Sequence, residues 1–358
     1  MWGKRLPKIK CNVIIKRFLF GILCIMLFIV ALSIFVLGGT RSGNASPKYG
    51  VSKYSIKIND IVFNDKNGGG PKIKVYITKE SCVKEMFLEE YIRGVVSAEM
   101  PATFEIEALK AQAVAARTYA LSHVGELGGT RCKNGNGADL CDTVHCQVYK
   151  DKEERLNSWD ERFRVEYWNK ITEAVSNTAG EVLTYNNSLV LEPYYFAVSS
   201  GKTENGLEVF ASSAPYLRSV SSEGEQIAPK YKSTVKFSYN DLVSSINKQY
   251  PKAGVTVNKI KTQVKINKKS LETKSVKEMK IGNITISGVE ARKLFGLNST
   301  NFVIRFNTKD VEFDCTGYGH GVGMSQWGAN VMAKTGKKYN EILTHYYQGV
   351  KVEKLREK

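Results

Sequence analysis

The chain has 358 residues, 42% of them hydrophobic and 24% charged, with 52 Lys and Arg against 35 Asp and Glu and a formal charge of +17. That length and apolar content suit one large domain or two ordinary ones and exclude a disordered or low-complexity chain. The positive excess fits a polyanionic cell wall or a lipid surface, although a solvated basic face has the same composition.

In chain order, residues 1–17 carry Lys4, Arg5, Lys8, Lys10, Lys16 and Arg17 without an acidic residue, which predicts a cytoplasmic basic tail. The uncharged run "FLFGILCIMLFIVALSIFVL", residues 18–37, has the length of a bilayer-crossing helix, so everything after it is expected outside the cell. Nucleic acid is then not the expected partner. A cleaved signal peptide is the competing reading, but its apolar core is shorter and ends at small residues of Ala-x-Ala type, absent from "GGTRSGNASPKYG". Residues 38–50 read as a linker, leaving 51–358 as the extracytoplasmic domain.

In that domain, "KYSIKINDIVF" and "KIKVYIT" read as strands and residues 87–99 as a helix. Pro101 stops it, leaving Glu99 at the seam before a second helix over 104–123. On that second helix Ile106, Leu109, Ala113, Ala116 and Ala120 make one buried stripe, with Lys110 and Arg117 two turns apart along its edge. A loop rich in Gly and Cys follows over 125–149, then a helix over about 159–177. "EVLTYNNSLVLEPYYFAVSS" is a hairpin turned by Asn186 and Asn187. Residues 221–300, Lys-rich and strand-prone, read as an inserted subdomain. "FVIRFNTKDVEFDC" returns to strands, "GYGHGVGMSQWGA" is a glycine loop entering a helix, and "NEILTHYYQG" is a last short helix. The fold class is α+β: mixed helices and antiparallel strands with a strand-rich insertion, tethered to an N-terminal transmembrane helix.

Several constellations carry chemistry. Cys132, Cys141, His145 and Cys146 supply three thiols and an imidazole, the donor set of structural zinc, with four protein ligands leaving no open position. A disulfide is the alternative outside the cell, and adjacent His145 and Cys146 are an awkward pair of ligands on one ion. Ser199 to Lys202, Ser245 to Asn247 and Lys334 to Gly336 match the serine, S-x-N and K-T-G motifs of penicillin-binding proteins. Their context opposes the match, because the serine ends a strand and the K-T-G closes a helix with Gly336 as its cap. The loop around Gly319, Gly321 and Gly323 lets backbone approach a ligand, but it is not a dinucleotide fingerprint. His320 in it reads equally as a proton carrier or as a histidine packed in a turn.

The segments "AEMP", "ALKAQAVAARTYA", "DTVHCQVY", "AVSSGKTEN", "PYLRSV" and "GYGHGVGMSQWGA" occur in the order of the stage II sporulation protein D family, which the chain resembles over nearly its whole exterior part. The family also includes amidase-enhancer proteins. The resemblance implies a membrane-anchored peptidoglycan lytic transglycosylase acting during engulfment of the forespore on glycan strands stripped of stem peptides, cleaving at muramic acid to leave 1,6-anhydro ends. It implies Glu99 as the catalytic acid and then base, with Lys110, Arg117, Ser200, Thr203, Tyr216, Arg218, His320 and Gln326 lining the substrate cleft. It implies zinc on the cysteine loop, and as partners the amidase/endopeptidase stage II sporulation protein P and the membrane protein stage II sporulation protein M. The rival reading is a non-catalytic wall-binding module that activates a partner amidase. For Glu99 to act as an acid its pKa must be raised by burial, so Lys110 and Arg117 are expected not to pair tightly with it.

Overall fold

A computed structural model describes residues 55–63 and 70–357. The expected tail, apolar run and linker lie outside those residues. Among the described residues, no helix is long and apolar enough to cross a membrane.

The domain starts as a small sheet. In strand Lys72–Ile77 the alternation places Ile73, Val75 and Ile77 inward, the period that a half-buried strand requires. It pairs antiparallel with Cys82–Phe87 and parallel with Leu140–Cys141. The chain passes from Phe87 straight into helix Leu88–Glu99, whose apolar face is Leu88, Tyr91, Ile92, Val95 and Val96.

Helix Ile106–His123 is the centre of the molecule. The predicted single stripe is corrected here: Ala108, Ala111, Ala113, Ala115, Ala116 and Ala120 are all fully buried, on every side of the helix. A helix of small residues can be surrounded, because alanine lets neighbouring backbones approach from all directions. Helices Leu88–Glu99, Arg164–Ser176, Gln326–Lys334 and Tyr339–Tyr346 all pack on it, as does strand Glu181–Tyr185.

The helix expected over about 159–177 is present as Arg164–Ser176, and a short helix that was not expected precedes it. Asp151 caps Lys152–Ser158 by accepting from the Glu154 N–H at 2.8 Å, and Arg164–Ser176 follows after a break at Trp159. The hairpin Glu181–Tyr185 with Ser188–Leu189 turns on Asn186 and Asn187, both with positive φ, as a two-residue turn requires. Its continuation does not extend the hairpin: Tyr195–Phe196 pairs parallel with Met324–Ser325. Lys351–Lys354 closes the sheet on Glu181–Tyr185.

The strand-rich segment has its own core, with Leu242, Ile246, Met279, Phe295, Phe302 and Phe313 buried together. Its sheets are Lys232–Ser238 with Asp310–Thr316 and Phe302–Phe306, and the meander Val264–Lys269, Val276–Ile281, Ile284–Ser287. Because Lys232–Ser238 pairs in full register with Asp310–Thr316, this unit runs to 316 rather than ending near 300. Lys277 ties it to the rest through Glu204 at 2.7 Å and Glu208 at 2.8 Å. The architecture is mixed α+β, with several antiparallel sheets around helices.

Candidate active site at the helix seam

Glu99 is the last residue of its helix. Met100 behind it is extended, and Pro101 with Phe104 makes a turn before the next helix begins. Helix Gln326–Lys334 fixes that turn from outside. Its Asn330 side chain accepts from the Glu105 N–H at 2.8 Å, and its Trp327 meets Phe104 edge to face at 4.9 Å. The seam is therefore rigid.

The half-buried Glu99 carboxyl has two neutral donors. The Val148 N–H reaches Oε1 at 2.8 Å, and the Gln326 amide lies 3.4 Å from Oε2. Burial raises the Glu99 pKa above the ordinary carboxylate value, and these two donors pull it back by less. Gln326 also approaches Gln112 Oε1 at 3.4 Å; Gln112 is fully buried and its Nε2 has no partner among the described residues. Beside Val148, the buried Gln147 donates to Tyr91 Oη and to the Ala116 carbonyl, both at 3.4 Å, and accepts from Tyr195 Oη at 2.8 Å. One backbone segment, 147–148, thus binds both helices of the seam and the strand facing them.

Neither predicted cation sits on Glu99. Arg117 is 0% exposed and forms a two-pronged pair with Glu89, Nε to Oε1 at 2.6 Å and Nη2 to Oε2 at 2.7 Å, while Nη1 donates to the Glu181 carbonyl at 3.0 Å. Its assignment to a substrate cleft is corrected: it is an internal fastener of three elements, made so by the burial of its helix on all sides. Lys110 pairs with Glu107 at 2.9 Å and lies over the Tyr339 ring.

His320 is also fastened. Its Nδ1 accepts from the Val322 N–H at 3.1 Å, so Nε2 carries the proton and donates to the Tyr195 carbonyl at 3.0 Å. Burial, then the Arg292 charge, pushes its pKa down to about 4, leaving a neutral ring that ties the glycine loop to strand Tyr195–Phe196. The loop must be glycine where it touches that strand: a Cβ on Gly323, at φ +77°, would sit 1.9 Å from the Tyr194 carbonyl.

Thr203 is fully buried, accepting from the Val220 N–H at 2.9 Å, and Tyr216 is nearly so, its hydroxyl accepting from the Glu192 N–H at 3.2 Å. Ser200 is half-buried, and the exposed Arg218 donates to the Pro215 carbonyl at 3.0 Å. Of the predicted cleft residues, Gln326 directly contacts Glu99. The penicillin-binding motifs are not assembled: Ser199 is buried, and Gly336 at φ +89° caps a helix.

The sulfur and nitrogen donors of Cys132, Cys141, His145 and Cys146 all lie within 4.8 Å of one another. His145 Nδ1 is 3.3, 3.9 and 3.7 Å from the three sulfurs in that order, and all three cysteines are free thiols. Three thiols converging on one imidazole nitrogen fit a tetrahedral metal rather than a disulfide. The cluster sits two residues before Val148, the donor to Glu99.

Sequence reading passed over Glu225. It is 1% exposed and accepts from the Ser199 N–H at 2.7 Å, Ser222 Oγ at 2.5 Å and Ser325 Oγ at 2.6 Å; burial lifts its pKa to about 7. Ser325 in turn caps helix Gln326–Lys334. Nothing in its local pattern separated Glu225 from a solvated loop glutamate, since two of its partners, Ser199 and Ser325, lie 26 and 100 positions away.

The family model described as "Stage II sporulation protein" matches residues 76–185, a span holding Glu99, the central helix and the cysteine loop. Stage II sporulation protein D of Bacillus subtilis (strain 168) is 40% identical over 282 residues, 78% of each chain. The protein of the same name from Bacillus amyloliquefaciens is 38% identical over 281 residues, again 78% of each. An amidase enhancer of Bacillus subtilis (strain 168) is 30% identical over 310 residues, 72% of this chain but 39% of that one.

Proposed function

The chain belongs to the stage II sporulation protein D family, and on that premise we propose that it is a lytic transglycosylase cutting peptidoglycan glycan strands freed of stem peptides. The observation that carries the proposal is Glu99: a carboxyl with raised pKa, held by two neutral donors, with both nearby helical cations committed elsewhere.

Such a site needs one carboxyl. Hydrolytic glycosidases use two, the second to attack or to activate water. Here the sugar's own C6 hydroxyl is the nucleophile. Val148 permanently occupies Oε1, so the transferable proton is carried on Oε2. Glu99 gives that proton to the glycosidic oxygen as the bond to C1 breaks. The resulting carboxylate is met by the Val148 N–H and the Gln326 amide, then takes the C6 hydroxyl proton as that oxygen closes on C1. The product is a 1,6-anhydro end, and Glu99 is protonated again.

Cys132, Cys141, His145 and Cys146 would hold zinc, which when bound contributes rigidity to the loop rather than a reactive water. We extend the proposal to an N-terminal anchor in the engulfing membrane and to partnership with stage II sporulation proteins P and M.

The similarity to an amidase enhancer supports a second reading, a wall-binding module that stimulates an amidase. Mass spectrometry of denuded glycan treated with the purified protein separates the two. Anhydro ends made by the native chain and lost in Glu99→Gln support the enzyme; anhydro ends persisting in Glu99→Gln overturn the role of Glu99.

A further inference from the structure

The inserted unit is where the charge of the chain collects. Residues 232–316 hold 16 Lys and Arg against 7 Asp and Glu, so under a quarter of the chain carries more than half of its excess of 17. Both arginines are committed: Arg305 pairs with Glu312 and Asp314, and Arg292 donates to the Leu297 carbonyl at 3.2 Å. Lys236 and Lys277 are paired as well. Nine further lysines, among them Lys259, Lys261, Lys265 and Lys280, are exposed and have neither an ion pair nor a hydrogen bond among the described residues.

Two of these lysines, Lys259 and Lys261, line a cavity of about 460 Å3 together with Tyr239, Asn258, Thr262 and Thr308. No carboxylate is in its wall. The Tyr239 hydroxyl donates to the Asn307 carbonyl at 2.6 Å, and the Lys261 ammonium lies over the Tyr239 ring, 5.7 Å from its centroid. The Asn258 amide and the Thr308 hydroxyl have no partner among the described residues, so both can donate to an occupant. Lys265 follows four residues after Lys261, within about 14 Å of it, and stands directly opposite Lys280 across strands Val264–Lys269 and Val276–Ile281. Like charges opposed in this way destabilise a sheet, and an anion shared between them relieves the repulsion.

The free cations are therefore all lysines, point charges that meet a phosphate oxygen from any direction, while the planar fork that matches a carboxylate is used up inside the unit. A lipid surface fits less well, because its headgroups lie in a plane and the donors here line a concavity. We propose that the inserted unit binds a phosphodiester polymer, a polyol phosphate chain, with one phosphate seated in the pocket of Lys259 and Lys261 and another bridging Lys265 and Lys280. This site holds the protein to its surroundings and is independent of Glu99 and of glycan cleavage.

The test titrates full-length protein in neutral detergent micelles, by calorimetry at several salt concentrations, with a polyglycerol phosphate oligomer and with poly-L-glutamate of equal charge. The phosphate polymer is expected to bind about tenfold more tightly. Lys259→Gln with Lys261→Gln, both at exposed positions, is expected to weaken it about tenfold and to lower the slope of log affinity on log salt by roughly one to two. Lys79→Gln with Lys334→Gln removes two exposed charges outside the unit and is expected to leave the affinity unchanged. Equal weakening by the two double variants, or equal affinity for polyglutamate, overturns the site and leaves a solvated basic surface. In micelles doped with phosphatidylglycerol the gap between native and Lys259→Gln/Lys261→Gln protein is expected to persist; its disappearance gives the pocket to lipid headgroups and overturns the polymer.

Discussion

The Val148 N–H donates to Glu99 Oε1 at 2.8 Å from a position two residues past Cys146. The thiol cluster and the carboxyl are therefore mechanically joined through Gln147, which is itself bonded to both helices of the seam and to Tyr195. If the loop is held by zinc, Cys146→Ser is expected to lose stoichiometric metal in elemental analysis. Misplacing Val148 by about 1 Å is expected to cost on the order of 100-fold in rate, while glycan binding by the folded variant persists. Metal retained at full stoichiometry in Cys146→Ser would remove Cys146 from the ligand set.

Protonated Glu99 is needed for the first step, and burial raises its pKa, so activity is expected to fall as pH rises through a value above the usual carboxylate range. Gln326 is one of the two groups that lower it. Gln326→Leu should therefore move the alkaline limb of the pH–rate profile upward and reduce the rate below that limb, since the carboxylate formed after proton donation loses a donor. A limb that stays in place would show that Gln326 does not act on Glu99.

Arg117 and Glu89 form a fully buried pair, so removing one partner strands a charge in the core. Arg117→Ala is expected to destabilise the fold by about 3–5 kcal/mol in chemical denaturation, and the double change Arg117→Met with Glu89→Leu by clearly less. A cleft arginine would behave differently, raising KM with stability unaltered.

Glu225 makes stability depend on pH with a definite sign. Its pKa rises from 4.5 to about 7 on folding, so the folded state binds the extra proton across that window, and stability falls as pH rises from 4.5 to 7. The size is on the order of 3 kcal/mol. Glu99 acts in the same direction. Glu225→Gln is expected to flatten most of this slope, measured as midpoint temperature against pH; an unchanged slope would mean the carboxyl titrates at its ordinary value when folded.

The seam was legible in one dimension. An apolar period ending at Glu99, then Pro101, then a second helix is local information, because proline and periodicity act over a few residues. The same holds for the Asn186-Asn187 turn and the glycine cap at Gly336. The clustering of Cys132, Cys141, His145 and Cys146 was readable from donor type and spacing alone. The short helix Lys152–Ser158 was not, because none of its residues is buried and it shows no apolar period to read.

What the sequence by itself determined is the class of the domain, its helical seam and the carboxyl placed there, since each rests on neighbours in the chain. The tertiary structure alone decided which charges are free. Arg117 looked like a cleft residue on the edge of an amphipathic helix and is the core's internal ion pair, because five elements close around an alanine-rich helix. Glu225, an ordinary glutamate in sequence, is buried under Ser199, Ser222 and Ser325. Whether a charged side chain meets water or the interior depends on what packs over it, and that comes largely from other segments of the chain, 28 and 64 positions away for Arg117 with Glu89 and Glu181, and 26 and 100 for Glu225 with Ser199 and Ser325.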